Sequence, residues 1–219
     1  MPQTTTFITI RQEWQEAWGI RSFRRKVIAG FLITVTILSF FPSFFQRIEQ
    51  RRGIVLNDPL LKLVPAHNVS IALFIIIWTL STLAAVRAVQ NPRMFLTFVW
   101  SWVILSVFRM LTISLVPLDP PAGLIGLVDP LSNAFYGPKF ITKDLFFSGH
   151  TSTVFLLYLC LPGRVDKRLA LLITFGVATL LLIQHVHYTL DVLGGFLFGW
   201  LSWWIATKTI LREPANPSN

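Results

Sequence analysis

Residues 69–87 read VSIALFIIIWTLSTLAAVR, an apolar run that meets its first charge only at Arg87. As an α-helix these 19 residues rise about 28 Å, close to the roughly 30 Å hydrocarbon core of a bilayer. The run does not alternate apolar with polar residues as a half-buried strand would, so it is read as a spanning helix. Five more apolar blocks, at about 27–45, 94–116, 148–162, 169–186 and 192–210, are read the same way, 148–162 being the shortest. The expected fold class is all-α: a polytopic bundle of about six transmembrane helices.

Composition supports a membrane domain. The 219 residues are 53% hydrophobic and 13% charged, against roughly 25% charged in an average soluble domain. The formal charge of +9 does not point to nucleic acid, which would need the cations gathered on one solvated face. Most lie in short stretches beside the apolar blocks, where they orient the chain and meet anionic headgroups, so membrane lipids are the partners implied. With the N-terminus inside, Lys and Arg at 11, 21, 24, 25, 26, 87, 93, 164, 167, 168, 208 and 212 face inward, twelve in all. The six at 47, 51, 52, 62, 139 and 143 face outward, and Arg109 lies within a span. The positive-inside rule therefore places both termini in the cytoplasm. Cys160, a single cysteine inside an apolar block, supports neither a disulfide framework nor a thiolate metal site and is read as a packing residue.

Residues 1–26 put Ile10, Trp14, Ala17 and Trp18 on one helical face and end in Arg21, Arg24, Arg25 and Lys26. An amphipathic helix lying in the interface is expected. The basic residues come late for a secretory signal and no Ala-x-Ala-like site follows the first block, which is taken as a retained anchor. Residues 27–212 then form the six-span domain, and 213–219 a disordered tail. The long loop 117–147 carries Pro117, Pro120, Pro121, Gly123, Gly126, Pro130, Gly137 and Pro138, a turn-rich outer segment of a length often kept for function. Gly195 and Gly199 would let the last span pack closely, within the protein or across a homo-oligomer; internal packing is the preferred reading.

Three clusters put ionisable groups where a membrane protein avoids them. They are Arg109 in the third span, Asp144-Leu-Phe-Phe-Ser-Gly-His150-Thr151 opening the fourth, and His185-Val-His187-Tyr188-Thr189-Leu-Asp191 joining the fifth and sixth. All map to the outer half of the membrane, although the charge count that set the topology ignored them. On a helix, His187 and Asp191 would share a face one turn apart, the carboxylate holding one imidazole nitrogen protonated and leaving the other as nucleophile or base. His185, two residues away, would point elsewhere and is read as a supporting or structural residue. His150 follows Ser148-Gly149 at an expected helix start, where free N–H groups favour phosphate and a histidine can protonate a leaving oxygen. Arg109 is read either as a structural partner for a carbonyl or carboxylate or as a phosphate ligand. Lys143 and Lys139 are solvated or reach headgroups, and Asp144 either caps the loop or orients a histidine or headgroup.

The two histidine motifs together resemble the sphingomyelin synthase family, the headgroup-transferring branch of the type 2 phosphatidic acid phosphatase superfamily. Arg109 with Thr112 and Val116-Pro117 is similar to a further motif of these synthases, and Trp203-Trp204 to another feature; the resemblance spans roughly residues 100–205. It implies a lipid phosphotransferase, with His187 as nucleophile forming a phosphohistidine, Asp191 orienting it and His150 as general acid. The candidate substrate contacts are Arg109, Lys143, Asp144, Ser148, Gly149 and Tyr188. The wider superfamily's phosphatases carry an arginine six residues before the nucleophile, where this chain has Leu181, and a Lys-to-Arg-Pro motif with no convincing copy here. Fewer cations suit a phosphodiester better than a phosphomonoester.

The expected reaction moves a phospho-headgroup from a phospholipid donor to a lipid hydroxyl, with neither metal nor cofactor. A phosphatase or phospholipase C-type hydrolase would use the same site with water as acceptor. A transporter would call for inverted repeats or broken helices near the midplane, neither of which is visible, and an inactive scaffold would not need the intact His150, His187 and Asp191. A metal site on His185 and His187 fails because residues two apart do not share a helix face. The site is expected on the periplasmic, extracellular or lumenal side, and the chain's small size favours a bacterial inner membrane.

Overall fold

The computed structural model describes residues 3–127 and 141–212, with side chains from Ile10 onward. Pro130, Gly137, Pro138 and Lys139 of the long loop and the tail 213–219 lie outside the described residues. Eight α-helices are present among the rest: α1 Gln3–Gly19, α2 Arg21–Glu49, α3 Pro59–Leu63, α4 Ser70–Gln90, α5 Pro92–Leu115, α6 Gly149–Cys160, α7 Arg164–Ile183 and α8 Thr189–Ile205. A π-helical turn, Ala206–Ile210, continues α8. No strand occurs among the described residues; Ile54 and Leu118 form one isolated bridge.

Among the described residues, four helices are long and apolar enough to cross a membrane: α2, α4, α5 and α8 with its π turn. The expected fifth span, α7, is a 20-residue helix, but Arg164, Asp166, Lys167 and Arg168 occupy its start. The expected fourth span, 148–162, is shorter than foreseen. α6 has 12 residues, about 18 Å at the helical rise. Its apolar sequence is explained by burial within protein: Leu156 and Val154 are almost fully enclosed, and α6 touches α4, α5, α7 and α8. Irregular backbone at 141–148 precedes it, tolerable at membrane depth only where protein covers it.

α8 reaches α6 so closely because of Gly195 and Gly199. A Cβ on Gly195 would lie 3.1 Å from the Ser148 carbonyl oxygen, and one on Gly199 3.2 Å from that of Ser152. The two glycines thus serve packing inside the protein. α2 lies against α5 through Phe41, Phe45, Val103 and Ile113, leaving Phe31, Leu32 and Phe40 on its open side. α1 docks by Trp14, whose indole N–H donates to the Val89 carbonyl at 2.7 Å and whose ring meets Phe95 edge-on at 5.6 Å. Ile10 and Ala17 also turn partly inward, while Trp18 is exposed.

The chain trace gathers the C-termini of α2, α5 and α7 and the N-termini of α6 and α8 at one end of the bundle. That end carries the histidine motifs. Arg21, Arg24, Arg25, Lys26, Arg87, Arg93, Arg164, Lys167 and Arg168 lie at the helix ends away from it.

Candidate active site

Asp191 organises the site. As third residue of α8 it reaches back to accept the Tyr188 backbone N–H on Oδ2 at 3.1 Å, a capping arrangement that satisfies an otherwise unpaired helix-end donor. Its Oδ1 accepts the Phe146 N–H at 3.1 Å, across 45 residues of chain. Its carbonyl oxygen accepts the Ser148 N–H at 2.8 Å. One buried residue thereby joins the two histidine motifs by main-chain bonds, and Phe146 is held at φ +93° to allow it, a conformation that a bulky residue keeps only when its surroundings impose it. Phe147, next to it, stacks on Phe198 with centroids 4.7 Å apart.

His187 is 3% exposed, with Nδ1 3.4 Å from Asp191 Oδ2. The expectation that both residues sit on one helix is corrected here. α8 begins at Thr189, and His187 lies in a bend just before the capping residue Tyr188, whose own backbone is extended. Asp191 therefore meets it through the cap rather than across a helical face. Nδ1–H donating to the carboxylate leaves Nε2 as the basic nitrogen, and a contact this long is of the kind that shortens when substrate arrives.

Ser148 caps α6, its hydroxyl accepting the Thr151 N–H at 3.2 Å. His150 lies in the first turn of α6, half-buried, its ring edge-on to Phe74 at 6.4 Å. It lines a cavity of about 210 Å³ shared with Arg109, Asp144 and Gly149 and continued by Trp102 and Ile77. Arg109 pairs with Asp144 and lies over the Phe147 ring, 5.9 Å from its centroid. A Cβ at position 149 would overlap the Arg109 guanidinium, so glycine there is what lets the cation rest at the start of α6. Of the two readings open for Arg109, the structure contains the carboxylate partner, in a position that also faces the cavity.

The remaining candidates hold the framework. The Lys143 ammonium donates to the Arg51 carbonyl and pairs with Asp119 at 2.8 Å, which holds the Asp119 carboxyl below the usual range. The Tyr188 hydroxyl donates to the Asp119 carbonyl at 2.8 Å and accepts the Leu56 N–H at 3.1 Å. Ser148 is fully buried. The His185 ring nitrogens meet the carbonyls of Ala122 and Val64. Among the described residues no three His, Cys, Asp or Glu side chains converge as a metal-ligand set.

Three supporting residues escaped the sequence reading. Asp58 caps α3 through the Leu60 and Leu61 N–H groups and accepts from the Thr189 N–H at 2.6 Å and its hydroxyl at 3.0 Å. Asp58-Pro59 is a helix-start signal that could have been noticed. Glu49 accepts the Thr142 hydroxyl, the Thr142 N–H and the Lys143 N–H, fixing the strip that leads to Asp144. Gln184, fully buried, donates to Ser70 Oγ at 2.7 Å and accepts the Val69 N–H at 3.2 Å.

Residues 125–214 match the family model described as the PAP2 superfamily. The match includes His150, His187 and Asp191 and leaves Arg109 outside. No curated protein and no solved structure matches the chain. The similarity points to phosphatase or phosphotransferase chemistry on phosphoesters in a helical membrane protein.

Proposed function

We propose that the protein is an integral membrane lipid phosphotransferase, similar to the sphingomyelin synthases, that moves a phospho-headgroup from a glycerophospholipid to a lipid hydroxyl. The observation that carries this reading is the Asp191 carboxylate, buried and bonded to the Phe146 and Tyr188 N–H groups while it faces His187 Nδ1. His187 Nε2 attacks phosphorus, the bond to the diacylglycerol oxygen breaks, and His150 gives that oxygen a proton. The headgroup phosphate then rests on His187, with Asp191 stabilising the ring. In the second half the acceptor hydroxyl attacks phosphorus, its proton passes to His150, and the P–N bond breaks.

Arg109 turns from Asp144 to the phosphate oxygens when substrate enters. Among the described cavity-lining residues it is the one Lys or Arg, which suits a singly charged phosphodiester better than a phosphomonoester. In this reading α6 and α7 complete six crossings, both termini are cytoplasmic, and the site lies on the opposite side of the membrane. The test is mass spectrometry of lipid products after reconstitution with mixed phospholipid donors, phosphatidic acid and ceramide, beside His187→Ala. A headgroup-bearing ceramide lost in the variant is the expected outcome. Phosphorylated headgroup or free phosphate without a new lipid would make water the acceptor, and no product across the panel would sink the reading.

A further inference from the structure

His185 sits just after α7 in left-handed backbone, φ +54°, and is 7% exposed. Its Nδ1 is 3.0 Å from the Ala122 carbonyl oxygen and its Nε2 2.8 Å from that of Val64. A carbonyl oxygen only accepts, and a neutral imidazole has one N–H to give. Both contacts are hydrogen bonds only if the ring carries two protons. We propose that His185 is a positioning residue that works as an imidazolium, clamping the 54–64 and 121–124 loops onto the corner that presents His187.

The surroundings suit that charge. The turn over the ring is made by Gly123 at φ +79°, where a Cβ would lie 3.4 Å from Nδ1, so the loop is folded directly onto the imidazole. Asp58, Lys62 and Tyr188 line, together with His185, a cavity of about 550 Å³. These are the ionisable groups that share the cavity with it; the 121–124 turn contributes none, and His67, whose backbone N–H donates to the Ile183 carbonyl at 3.0 Å, flanks the same corner. Burial alone would raise the Asp58 carboxyl, but hydrogen bonds from Thr189, Leu61 and Leu60 hold it below the usual range, so it is an anion near neutral pH.

Two further ties converge on this corner, Tyr188 to Leu56 and Asp119, and Asp58 to Thr189. His185 is the tie that depends on a proton. When the ring loses it, one carbonyl faces a lone pair and one loop is released, two residues from His187. The link to catalysis rests on His187 being the nucleophile; the clamp itself does not.

Hydrogen exchange of the full chain in detergent micelles, from about pH 5 to about pH 8 and corrected for intrinsic rates, tests the clamp across the imidazole range. Protection of the Leu124 and Ile125 amides, which donate to Pro121 and Gln184, is expected to fall about fivefold as pH rises, the weight of one hydrogen bond. His187→Ala should keep that dependence and His185→Gln should abolish it, while α4 and α8 stay protected in both. Should His185→Gln fail to fold, the wild-type series together with ring 15N shifts decides. Constant wild-type protection, or a neutral ring at about pH 5, overturns the proposal. If lipid transfer is established, its kcat should fall at high pH with KM little changed, and His185→Gln should flatten that limb. If no transfer is found, the exchange experiment stands unaffected.

Discussion

The two halves of the site are built differently. Around His187, the donors and acceptors of the corner 184–191 are joined largely to main chain: Asp191 holds the Phe146 and Tyr188 N–H groups, His185 meets two carbonyls, and Tyr188 bridges two loops. Around His150, the charged groups Arg109 and Asp144 hold each other, and Asp144 Oδ1 has no hydrogen-bond partner among the described residues. Main-chain bonds fix a side chain in place before substrate arrives. A side-chain pair lining a cavity can exchange one partner for a ligand. On the proposed reading, the difference assigns preorganisation to His187 as nucleophile and adjustability to Arg109 as phosphate ligand.

The largest expected effect tests the rigid half. Asp191→Asn keeps the size of the group but lets it donate to His187, favouring the wrong tautomer; turnover should fall about 10⁴-fold, as in other His–Asp pairs. Asp191→Ala should in addition lower stability by about 3 kcal/mol, because the Phe146 and Tyr188 N–H groups are left buried without an acceptor. Thermal melting beside the lipid-product assay separates these effects, and wild-type turnover in either variant would break the comparison.

The adjustable half should respond less and non-additively. Arg109→Ala is expected to cost about 10²-fold in kcat/KM, the scale of removing one charged stabiliser. Combined with Asp144→Asn, it should cost less than the sum of the two, since each single change strands its partner. Full additivity in that double-mutant cycle would mean the pair does not act as a unit. Gly149→Ala, which displaces the guanidinium from the start of α6, should raise KM several-fold with little change in kcat.

The smallest effect concerns the frame beneath both halves. Against the upward pull of burial, hydrogen bonds from Thr189, Leu61 and Leu60 hold the Asp58 carboxyl below the usual carboxylate range in the folded protein. A lowered carboxyl contributes stability above its unfolded value and loses it as pH falls through the folded one. Wild type should therefore lose melting temperature more steeply below about pH 4 than Asp58→Asn, which should melt lower near neutral pH and converge in acid. Parallel curves would show that the Asp58–Thr189 tie carries no stability.

Much of this organisation is legible in the chain itself. The long apolar runs become α2, α4, α5 and α8 because in hydrocarbon the helix is the one local structure that satisfies its own backbone. His150 at the start of α6, and His187 and Asp191 around the start of α8, stood out because an ionisable group beside an apolar run is costly to place. At 148–162 the same apolarity does not distinguish burial by neighbouring helices from burial by lipid, since both select the same residues. α6 is enclosed by α4, α5, α7 and α8, so its 12 residues are apolar for packing as well.

Local sequence determined the long apolar helices, the motifs that hold His150, His187 and Asp191, and the end of the bundle where those motifs fall. Tertiary structure alone decided that Asp191 would bind Phe146 from another segment, that Arg109 would meet Asp144 beside Gly149, and that His185 would face two carbonyls. The physical reason is range. Hydrophobic runs and capping signals act within a few residues, whereas these contacts join positions 35 to 121 residues apart. They depend on how closely glycine-bearing helices pack and where each loop is tied.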